Sequence, residues 1–330
     1  MIRWGIAGPG GIAATFAEAM TRVDGGHVVA VASRSADRAA AFADRFDIAN
    51  RHADHRSLAD DPTVDAVYVA TPHARHEADT LLYVGAGKHV LCEKPLALNA
   101  DQVRRMAAAA VAADVFLMEA MWSRFLPSYR ALVDVVGSGR IGTPLQVDAD
   151  FGFRVPVDPR HRLFDPAQGG GALLDLGIYP IHLCLLLLGP ITRTTGSAVL
   201  GDTNVDEQVA ATLVHEGGGL GVVKAAIRVP LACSARVSGS DGWIDVPAFM
   251  HHPTSLTVHR ATHDPDVIEF PVTGNGFEFQ IAEVHRCLEA GLGESPTMPV
   301  ADSLALATAM DAIRAQIGLS YPGEESAPRI

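Results

Sequence analysis

Lys94 stands where a positively charged side chain could do chemistry. It follows the apolar run HVLC (89–92) and Glu93, and Pro95 directly behind it disfavours helical backbone angles at the lysine. If the run is a strand of a parallel sheet, the lysine lies at the carboxyl end, where such sheets bind ligands. An ammonium group there could bind an alcohol or carbonyl oxygen and lower the pKa of a neighbouring acid. The alternative is a surface lysine in a turn.

A second group of polar residues lies in the apolar stretch GGGALLDLGIYPIH (169–182). Asp175 and Tyr179 are four residues apart and His182 follows three residues later, so a helix would place them on one stripe. A tyrosine can exchange the proton of an alcohol if a nearby ammonium lowers its pKa from about 10. Each residue also has a structural interpretation, as a helix-start carboxylate, a core aromatic and a core histidine, and the role of His182 stays open. Pro180 could kink the helix before His182.

The chain begins with a glycine-rich turn that suits a dinucleotide. The run IRWGIAG (2–8) predicts a strand, and GPGGIA (8–13) fits the pattern G-x-G-x-x-A ahead of the helical AATFAEAM (13–20). Small residues here would let backbone N–H groups approach a pyrophosphate at the positive end of the helix. A merely tight turn is the alternative. The predicted phosphate-binding residues are Gly8, Gly10, Gly11, Ile12 and Ala13.

The end of the second predicted strand favours NADP over NAD. The sequence there is VASRS (31–35), and Arg38 follows one helical turn after Arg34. An NAD site usually has a carboxylate at this place for the ribose hydroxyls, whereas two guanidinium groups and Ser33 can hold a 2′-phosphate. The alternative is that both arginines are solvated residues at the start of a helix.

Alternating strands and helices in the first third of the chain predict a nucleotide-binding Rossmann domain. Short apolar runs are separated by alanine-rich helical stretches, the pattern of a parallel sheet with helices on both faces. The predicted strands are IRWGIAG (2–8), HVVAVAS (27–33), AVYVAT (66–71), HVLCE (89–93) and VFLME (115–119).

From about residue 144 the pattern changes to alternating apolar and polar residues, which predicts an open, mainly antiparallel sheet. We therefore predict an α/β protein, with a Rossmann domain at 1–123 and an α+β domain for substrate binding and oligomerisation at 124–330. The tail YPGEESAPRI (321–330) is predicted to be loosely held. The strands and closing helices of this second part are LQVDADFGFRV (145–155), EQVAATLVH (207–215), GLGVVKAAIRV (219–229), DVIEFPV (266–272), FEFQIAEVHRCLEAG (277–291) and ADSLALATAMDAIRAQIG (301–318).

The composition argues against several classes of partner. The 330 residues are 48% hydrophobic and 19% charged, as in soluble globular proteins, and are enough for two domains. The net charge of −12 argues against nucleic acid and anionic membranes, because both need a basic face. The four cysteines have no paired spacing and no histidine–carboxylate cluster is visible, so neither a disulfide framework nor a metal site is indicated.

The segment ALLDLGIYPIHLCLLLLG (172–189) is nearly long enough to span a membrane. Asp175, Pro180 and His182 interrupt it, and an aspartate in a spanning helix costs about 3 kcal/mol. A buried core helix is therefore predicted. The N-terminus runs straight into a strand-like segment, so no signal peptide is expected. The dispersed, unpaired cysteines predict a reducing, cytoplasmic compartment.

Taken together, these motifs resemble the Gfo/Idh/MocA oxidoreductases. Tyr179 and MEAMWSRF make the chain most similar to the branch that contains dimeric dihydrodiol dehydrogenase and NADP-dependent D-xylose dehydrogenase. Many relatives have histidine where this chain has Tyr179, so their acid–base histidine is not carried over, and His182 is not the matching position. The matching segments are GPGGIA (8–13), TPHARHEA (71–78), CEKPLALN (92–99), MEAMWSRFLP (118–127), GGGALLDLGIYPI (169–181) and LEAGLGESPTMPVADSL (288–304).

The resemblance implies roles for several residues. Lys94 and Tyr179 would assist proton transfer at the substrate hydroxyl, and Asp175 would orient the substrate or the tyrosine. Trp122 and Phe151 would line the pocket, where aromatic faces suit the apolar side of a sugar or dihydrodiol ring, although Phe151 has the alternative of a core aromatic. The predicted cofactor residues beyond the glycine turn are Ser33, Arg34, Arg38, Thr71, His76, Glu93 and Lys94.

The expected reaction is reversible hydride transfer between NADP and a secondary alcohol or hemiacetal carbon of a sugar or trans-dihydrodiol. The resemblance also implies a homo-oligomer, a dimer formed through the second sheet. Two alternatives stay open. One is a non-catalytic, NADP-sensing regulator on the same scaffold. The other is a ketoreductase of a nucleotide-linked sugar, for which Arg154, Arg160 and Arg162 could line a diphosphate pocket, although a solvated loop is their simpler role.

Overall fold

Six parallel strands form the first sheet of the computed structural model, which describes residues 1–271 and 273–324. They are β1 Ile2–Ala7, β2 Gly26–Ala32, β3 Asn50–His52, β4 Ala66–Val69, β5 His89–Glu93 and β6 Leu117–Ala120. Their order, β3-β2-β1-β4-β5-β6, is that of dinucleotide-binding domains, with a reversal between β1 and β4 where such sheets bind their ligand. The predicted Rossmann domain is confirmed.

Helices alternate with these strands, and their starting residues follow from the sequence. Ser35, Asp54 and Asn99 each accept a hydrogen bond from a backbone N–H in the first turn that follows. The first helix begins instead at Gly10, which supplies no side-chain cap. The helices are α1 Gly11–Met20, α2 Ala36–Phe46, α3 His55–Ala59, α4 His76–Gly85 and α5 Ala100–Ala112.

Eight strands form the second sheet within the described part of the chain. They are β7 Pro144–Gly152, β8 Ile191–Leu200, β9 Asp206–His215, β10 Leu220–Ala226, β11 Ala235–Gly239, β12 Gly242–Val246, β13 Ser255–Arg260 and β14 His263–Glu269. The order is β14-β13-β12-β11-β7-β10-β9-β8, and among these described strands only the β7–β10 pair is parallel. The predicted open, mainly antiparallel sheet is confirmed, and β8, β11, β12 and β13 are additional to the predicted strands.

The apolar segment predicted as a core helix is a π-helical turn, Leu173–Gly177, followed by a regular helix. Pro180 is the third residue of that helix, which runs on to Leu188, so the proline does not break it. By length and composition Pro166–Leu188 passes as a membrane span, but 89% of its apolar window is buried, as in a core helix. The remaining helices are α6 Pro127–Gly137, α7 Ile178–Leu188, α8 Phe277–Glu289 and α9 Val300–Ile317.

The chain divides into two compact units differently from the predicted split at 123/124. The first unit comprises Met1–Phe125 and Val272–Leu304, and the second comprises Leu126–Pro271 and Ala305–Ile330. Helix α8 joins the first unit because it packs against α1. The Trp4 indole N–H donates to Nε2 of His285 at 3.0 Å, a contact between residues that are far apart in sequence. A local pattern does not reveal which surface an amphipathic helix covers.

The predicted loose tail is wrong for its first residues. Tyr321 is 3% exposed, and its hydroxyl donates to the Gly170 carbonyl oxygen at 2.7 Å. The Arg314 guanidinium lies 4.6 Å from the centre of the Tyr321 ring and pairs with Glu324. These contacts anchor 321–324 within the second unit. Residues 325–330 of the predicted tail lie outside the described residues.

Candidate active site

The glycine turn after β1 leaves backbone groups open to an anion. Gly8 has a φ of 93°, and a Cβ there would lie 2.9 Å from the Ala70 carbonyl oxygen, so only glycine fits. A Cβ on Gly10 or Gly11 would meet nothing within 4 Å. Because α1 has no side-chain cap, its first N–H groups and its positive end face that open space. The turn is therefore suited to a phosphate.

A buried hydroxyl beside the turn also lacks a partner. Thr71 Oγ1 has no hydrogen-bond partner among the described residues, and its Cγ2 lies 3.1 Å from the position of a Cβ on Gly8. Buried polar atoms are usually satisfied, so this one is explained by a ligand that supplies the missing contact. Of the other predicted residues, Ile12 is 40% exposed and Ala13 is buried. The turn and Thr71 fit a dinucleotide.

The residues predicted for the 2′-phosphate lie close to the same turn. Arg38 Nη2 lies 3.4 Å from the Pro9 carbonyl oxygen, which places this guanidinium beside the glycine turn. Arg34 and Arg38 are both exposed. Ser33 is buried, and its hydroxyl oxygen accepts the Ser35 N–H at 3.2 Å. The structure thus brings the predicted phosphate and 2′-phosphate residues together.

Glu93 fixes the backbone of Lys94. The lysine directly follows β5, is partly buried, and is joined to Pro95 by a cis peptide bond. Glu93 is buried; one carboxylate oxygen accepts the Lys94 N–H at 3.2 Å, and the other accepts the Tyr68 hydroxyl proton. A carboxylate used in this way positions the lysine, which differs from the predicted cofactor contact for Glu93.

His76 supports the same turn from the other side. It is fully buried, with Nδ1 2.8 Å from the Pro95 carbonyl oxygen and Nε2 2.9 Å from the Thr71 carbonyl oxygen. Burial lowers the pKa of His76. Both ring nitrogens thus face backbone groups, so the geometry supports a link between two strand ends in place of the predicted cofactor contact.

Glu119, which the sequence analysis did not select, adds a buried carboxyl near Lys94. It is 2% exposed and pairs with Cys92 across β5 and β6. Its Oε1 accepts the Leu96 N–H at 2.9 Å. Burial raises the pKa of Glu119, an effect that the charge of Lys94 opposes. An acidic residue ending the apolar run VFLME was the available signal.

Trp122, predicted to line the substrate pocket, lies in a 3-10 turn, Trp122–Phe125. Its ring centre is 5.2 Å from that of Phe277 on α8, within the first unit. Arg124, in the same turn, forms an ion pair with Asp302, in which a guanidinium nitrogen and a carboxylate oxygen are 2.7 Å apart. The tryptophan is therefore held by the returning segment of the chain.

In the second unit, a triglycine turn precedes the helix that carries Tyr179. Gly171 has a φ of 117°, and a Cβ there would lie 2.1 Å from Oδ1 of Asp206. Oδ2 of Asp206 accepts the Leu173 N–H at 2.6 Å, so the aspartate caps the π-helical turn. Burial raises the pKa of Asp206 to about 7. The glycines allow the close approach that this cap needs.

Asp175 lies in the π-helical turn and is bound by an arginine. It is 3% exposed, and Arg162 donates to both of its carboxylate oxygens, at 3.0 and 3.1 Å. Arg160, in the same loop, pairs with Asp158 and has a 91% exposed side chain. The loop arginines are thus not one solvated group, because Arg162 has a specific buried partner.

Tyr179 lies among aromatic rings, one of which is Phe151, the residue predicted either to line the substrate pocket or to be a core aromatic. It is 5% exposed, and its ring centre lies 5.5 Å from that of Phe151 and 5.3 Å from that of His251. His251 also stacks on Phe151 at 4.3 Å. His251 is a site neighbour that the sequence did not indicate, since it stands in a loop without a pattern.

His182 lies deeper in the second unit. It is fully buried, and its ring centre is 6.2 Å from that of Tyr129. This buried environment beside an aromatic ring supports the interpretation of His182 as a core histidine. Lys94 lies in the first unit and Tyr179 in the second.

The first unit has a Rossmann sheet with a glycine turn that is suited to a phosphate, and the second unit has an open, mainly antiparallel sheet. This combination is typical of the NAD(P)-binding oxidoreductases. Residues 2–121 match the model of an oxidoreductase family with an NAD-binding Rossmann fold. Residues 129–245 match the GFO/IDH/MocA C-terminal domain. The chain belongs to the GFO/IDH/MocA family and is an NAD(P)-dependent oxidoreductase.

Named relatives agree with this assignment. The chain is 39% identical over 329 residues to trans-1,2-dihydrobenzene-1,2-diol dehydrogenase of Danio rerio, covering 97% of this chain and 98% of the relative. Two solved structures are variants of KijD10, a 3-ketoreductase from Actinomadura kijaniata, in complex with TDP-benzene and NADP. Both are 28% identical and cover 96% of this chain and 98% of theirs. The tyrosine-to-phenylalanine variant has a TM-score of 0.87 and the lysine-to-alanine variant 0.84.

Proposed function

We propose that this protein uses NADP to oxidise, reversibly, a secondary alcohol or hemiacetal carbon of a sugar or trans-dihydrodiol. The observation that carries the proposal is Lys94, which is fixed by Glu93 at the same sheet edge as the glycine turn. The similarity to dihydrodiol dehydrogenases over nearly the whole chain supports the alcohol substrate.

The chain's own residues supply binding and proton transfer in this proposal. A bound nicotinamide supplies the redox chemistry, by accepting or giving up a hydride. The Lys94 ammonium binds the substrate oxygen and stabilises its negative charge as the hydroxyl loses its proton. Tyr179 accepts that proton in the oxidation and returns it in the reduction. Asp175 orients the substrate or the tyrosine. The lysine and tyrosine variants among the solved KijD10 structures are of the same two residue types.

The residues after β2 support NADP. Strand β2 ends at Ala32 and is followed by Ser33 and Arg34, with Arg38 next to the Pro9 carbonyl oxygen. Guanidinium groups bind a phosphate in two-pronged fashion, so this end of the sheet is suited to the 2′-phosphate that distinguishes NADP from NAD.

A ketoreductase of a nucleotide-linked sugar is the second candidate, supported by the similarity to KijD10. It would need basic residues for a diphosphate. In the loop proposed for them, Arg162 is bound to Asp175 and Arg160 to Asp158. These ion pairs favour an uncharged sugar or diol as the substrate.

The deciding experiment follows NADPH absorbance with D-xylose, D-glucose and trans-1,2-dihydrobenzene-1,2-diol, each with NADP and with NAD. We expect turnover with NADP on at least one of them. Lys94→Met and Tyr179→Phe should lower kcat by about a hundredfold or more, with little change in the affinity for NADP. Unchanged kcat in both variants contradicts the assigned roles, and a wild type that binds NADP but turns over none of the three compounds favours the regulator.

We further propose a homodimer through the uncovered face of the second sheet. There the cross-strand neighbours Trp243 and His259 stack at 4.6 Å, and the Arg236 guanidinium lies 5.5 Å from the Trp243 ring. Val199 and Val267 on the same face are each 56% exposed. Trp243→Glu should shift the sedimentation coefficient from that of a dimer to that of a monomer, and a wild type that sediments as a monomer excludes the dimer.

The cytoplasm is the proposed compartment, supported by four free cysteines among the described residues.

A further inference from the structure

A half-exposed arginine binds the buried carboxylate of the proposed site. Arg162 Nη1 and Nη2 donate to the two oxygens of Asp175 at 3.0 and 3.1 Å. The side chain of Asp175 is 5% exposed and that of Arg162 is 51% exposed. A two-pronged pair fixes the plane of a carboxylate as well as its position, which a single contact does not.

The backbone on which this pair stands is itself held in place. Arg162 begins a 3-10 turn, and the next residue, Leu163, is buried and accepts the Gly171 N–H at 2.9 Å. A Cβ on Gly170 would lie 2.7 Å from the Arg162 carbonyl oxygen, so the turn and the triglycine segment are in direct backbone contact. The guanidinium is therefore anchored to the same backbone that starts the helix of Asp175.

We propose that Arg162 is a positioning residue for proton transfer, which holds Asp175 ionised and oriented one helical turn before Tyr179. This inference rests on the proposed function, because it takes Asp175 and Tyr179 as parts of the reacting site. Removing one partner of a buried ion pair leaves a charge without compensation. A lone carboxylate next to Tyr179 disfavours the phenolate and is free to rotate away.

Other titratable groups also lie around Tyr179. His251 lies against the tyrosine ring at 5.3 Å, and His182 lies one turn further along α7. Tyr129 on α6 is near enough that Tyr179 adds to the rise in its pKa, which is caused mainly by burial. Arg162 is distinguished from these neighbours by its guanidinium, which donates to both oxygens of Asp175.

The first test compares Arg162→Ala, Arg162→Lys and the matched control Arg160→Ala, which removes the same charge from the exposed part of the loop. Arg162→Ala should lower kcat by about tenfold to a hundredfold with an unchanged KM for NADP. The limb of the pH–kcat profile set by the phenol proton should move up by about half a pH unit or more. Arg162→Lys should restore the position of that limb but only part of kcat, and Arg160→Ala should match the wild type.

A double-mutant cycle with Asp175→Asn separates positioning from simple damage to the fold. The variant with both Arg162→Ala and Asp175→Asn should be no slower than Asp175→Asn alone, because no unpaired charge remains. Additive losses, or an Arg162→Ala variant with wild-type kcat and pH profile, would overturn the inference while the wild type remains active. A wild type inactive on the whole substrate panel would overturn the proposed function and this inference together.

Discussion

Replacing Asp206 with asparagine tests whether a buried carboxylate controls the turn before the helix of Tyr179. Asp206 is fully buried, and burial raises its pKa from 3.8 to about 7. The folded protein therefore keeps a proton that the unfolded chain releases between about pH 4 and 7. The free energy of unfolding should fall as the pH rises through this window. The contribution is fully present below about pH 4 and lost above about pH 7.

The size of the effect follows from the shift. One pKa unit corresponds to about 1.4 kcal/mol, so the whole window amounts to about 4 kcal/mol. Between pH 5 and 7 the wild type should lose about 2 kcal/mol relative to Asp206→Asn, which has no such proton. For a unit of 150–250 residues, the difference in Tm between the wild type and Asp206→Asn should therefore change by about 4–8 °C between pH 5 and 7.

The assay is calorimetric unfolding at pH 5, 6, 7 and 8 for the wild type, Asp206→Asn and the control Asp202→Asn. Asparagine keeps an oxygen that can accept the Leu173 N–H, so the cap is preserved. Asp202 is exposed and lies a few residues earlier, and its replacement should leave the pH dependence of Tm unchanged. Parallel Tm curves for the wild type and Asp206→Asn would refute the reasoning.

Three further predictions concern the glycine turn, the cofactor and the anchored tail. Gly8→Ala should lower Tm by several degrees because Gly8 has a positive φ and its Cβ would lie 2.9 Å from a carbonyl oxygen. Gly11→Ala should leave Tm unchanged and weaken NADP binding, as measured by calorimetry. A loss of Tm in Gly11→Ala but not in Gly8→Ala would contradict the proposed phosphate site. Replacing Arg34 and Arg38 by alanine should raise the Kd for NADP about tenfold or more and leave that for NAD unchanged, and equal losses would argue against the 2′-phosphate site. Tyr321→Phe should cost about 1 kcal/mol, a Tm drop of about 2–4 °C, and no drop would show that its hydrogen bond adds nothing.

Five strands of the first sheet were predictable because they are almost continuously apolar and alternate with helical stretches, whereas β3, with the sequence NRH, is short and polar and was missed. The strands missed in the second sheet carry weaker signals. β8, ITRTTGSAVL, is exposed along most of its length and is interrupted by Gly196, so it shows no clean alternation. β11 and β12 are only five residues each and are joined by a tight turn. Short, half-exposed strands gain their stability from neighbours that are distant in sequence.

The candidate site was predictable where a local motif fixes the geometry. Gly8 and Arg38 lie together as expected because the turn and the strand end belong to adjacent parallel strands. Residue types alone did not show that Glu93 and His76 would be used by the backbone around Lys94. Arg162 and Asp175 lie in two different turns, and their ion pair depends on the contact between the arginine's loop and the triglycine segment. A contact of this kind leaves no periodic pattern in the sequence.

The return of residues 272–304 to the first unit affects how the protein can be made and engineered. During synthesis, the nucleotide-binding unit cannot be completed until α8 has been translated, which happens well past the middle of the chain. Until then the indole N–H of Trp4 has no His285 to which it can donate. A fragment ending at Phe125 is accordingly an unfinished half. Exchanging this half between relatives requires three junctions, and the third falls inside the continuous helix α9.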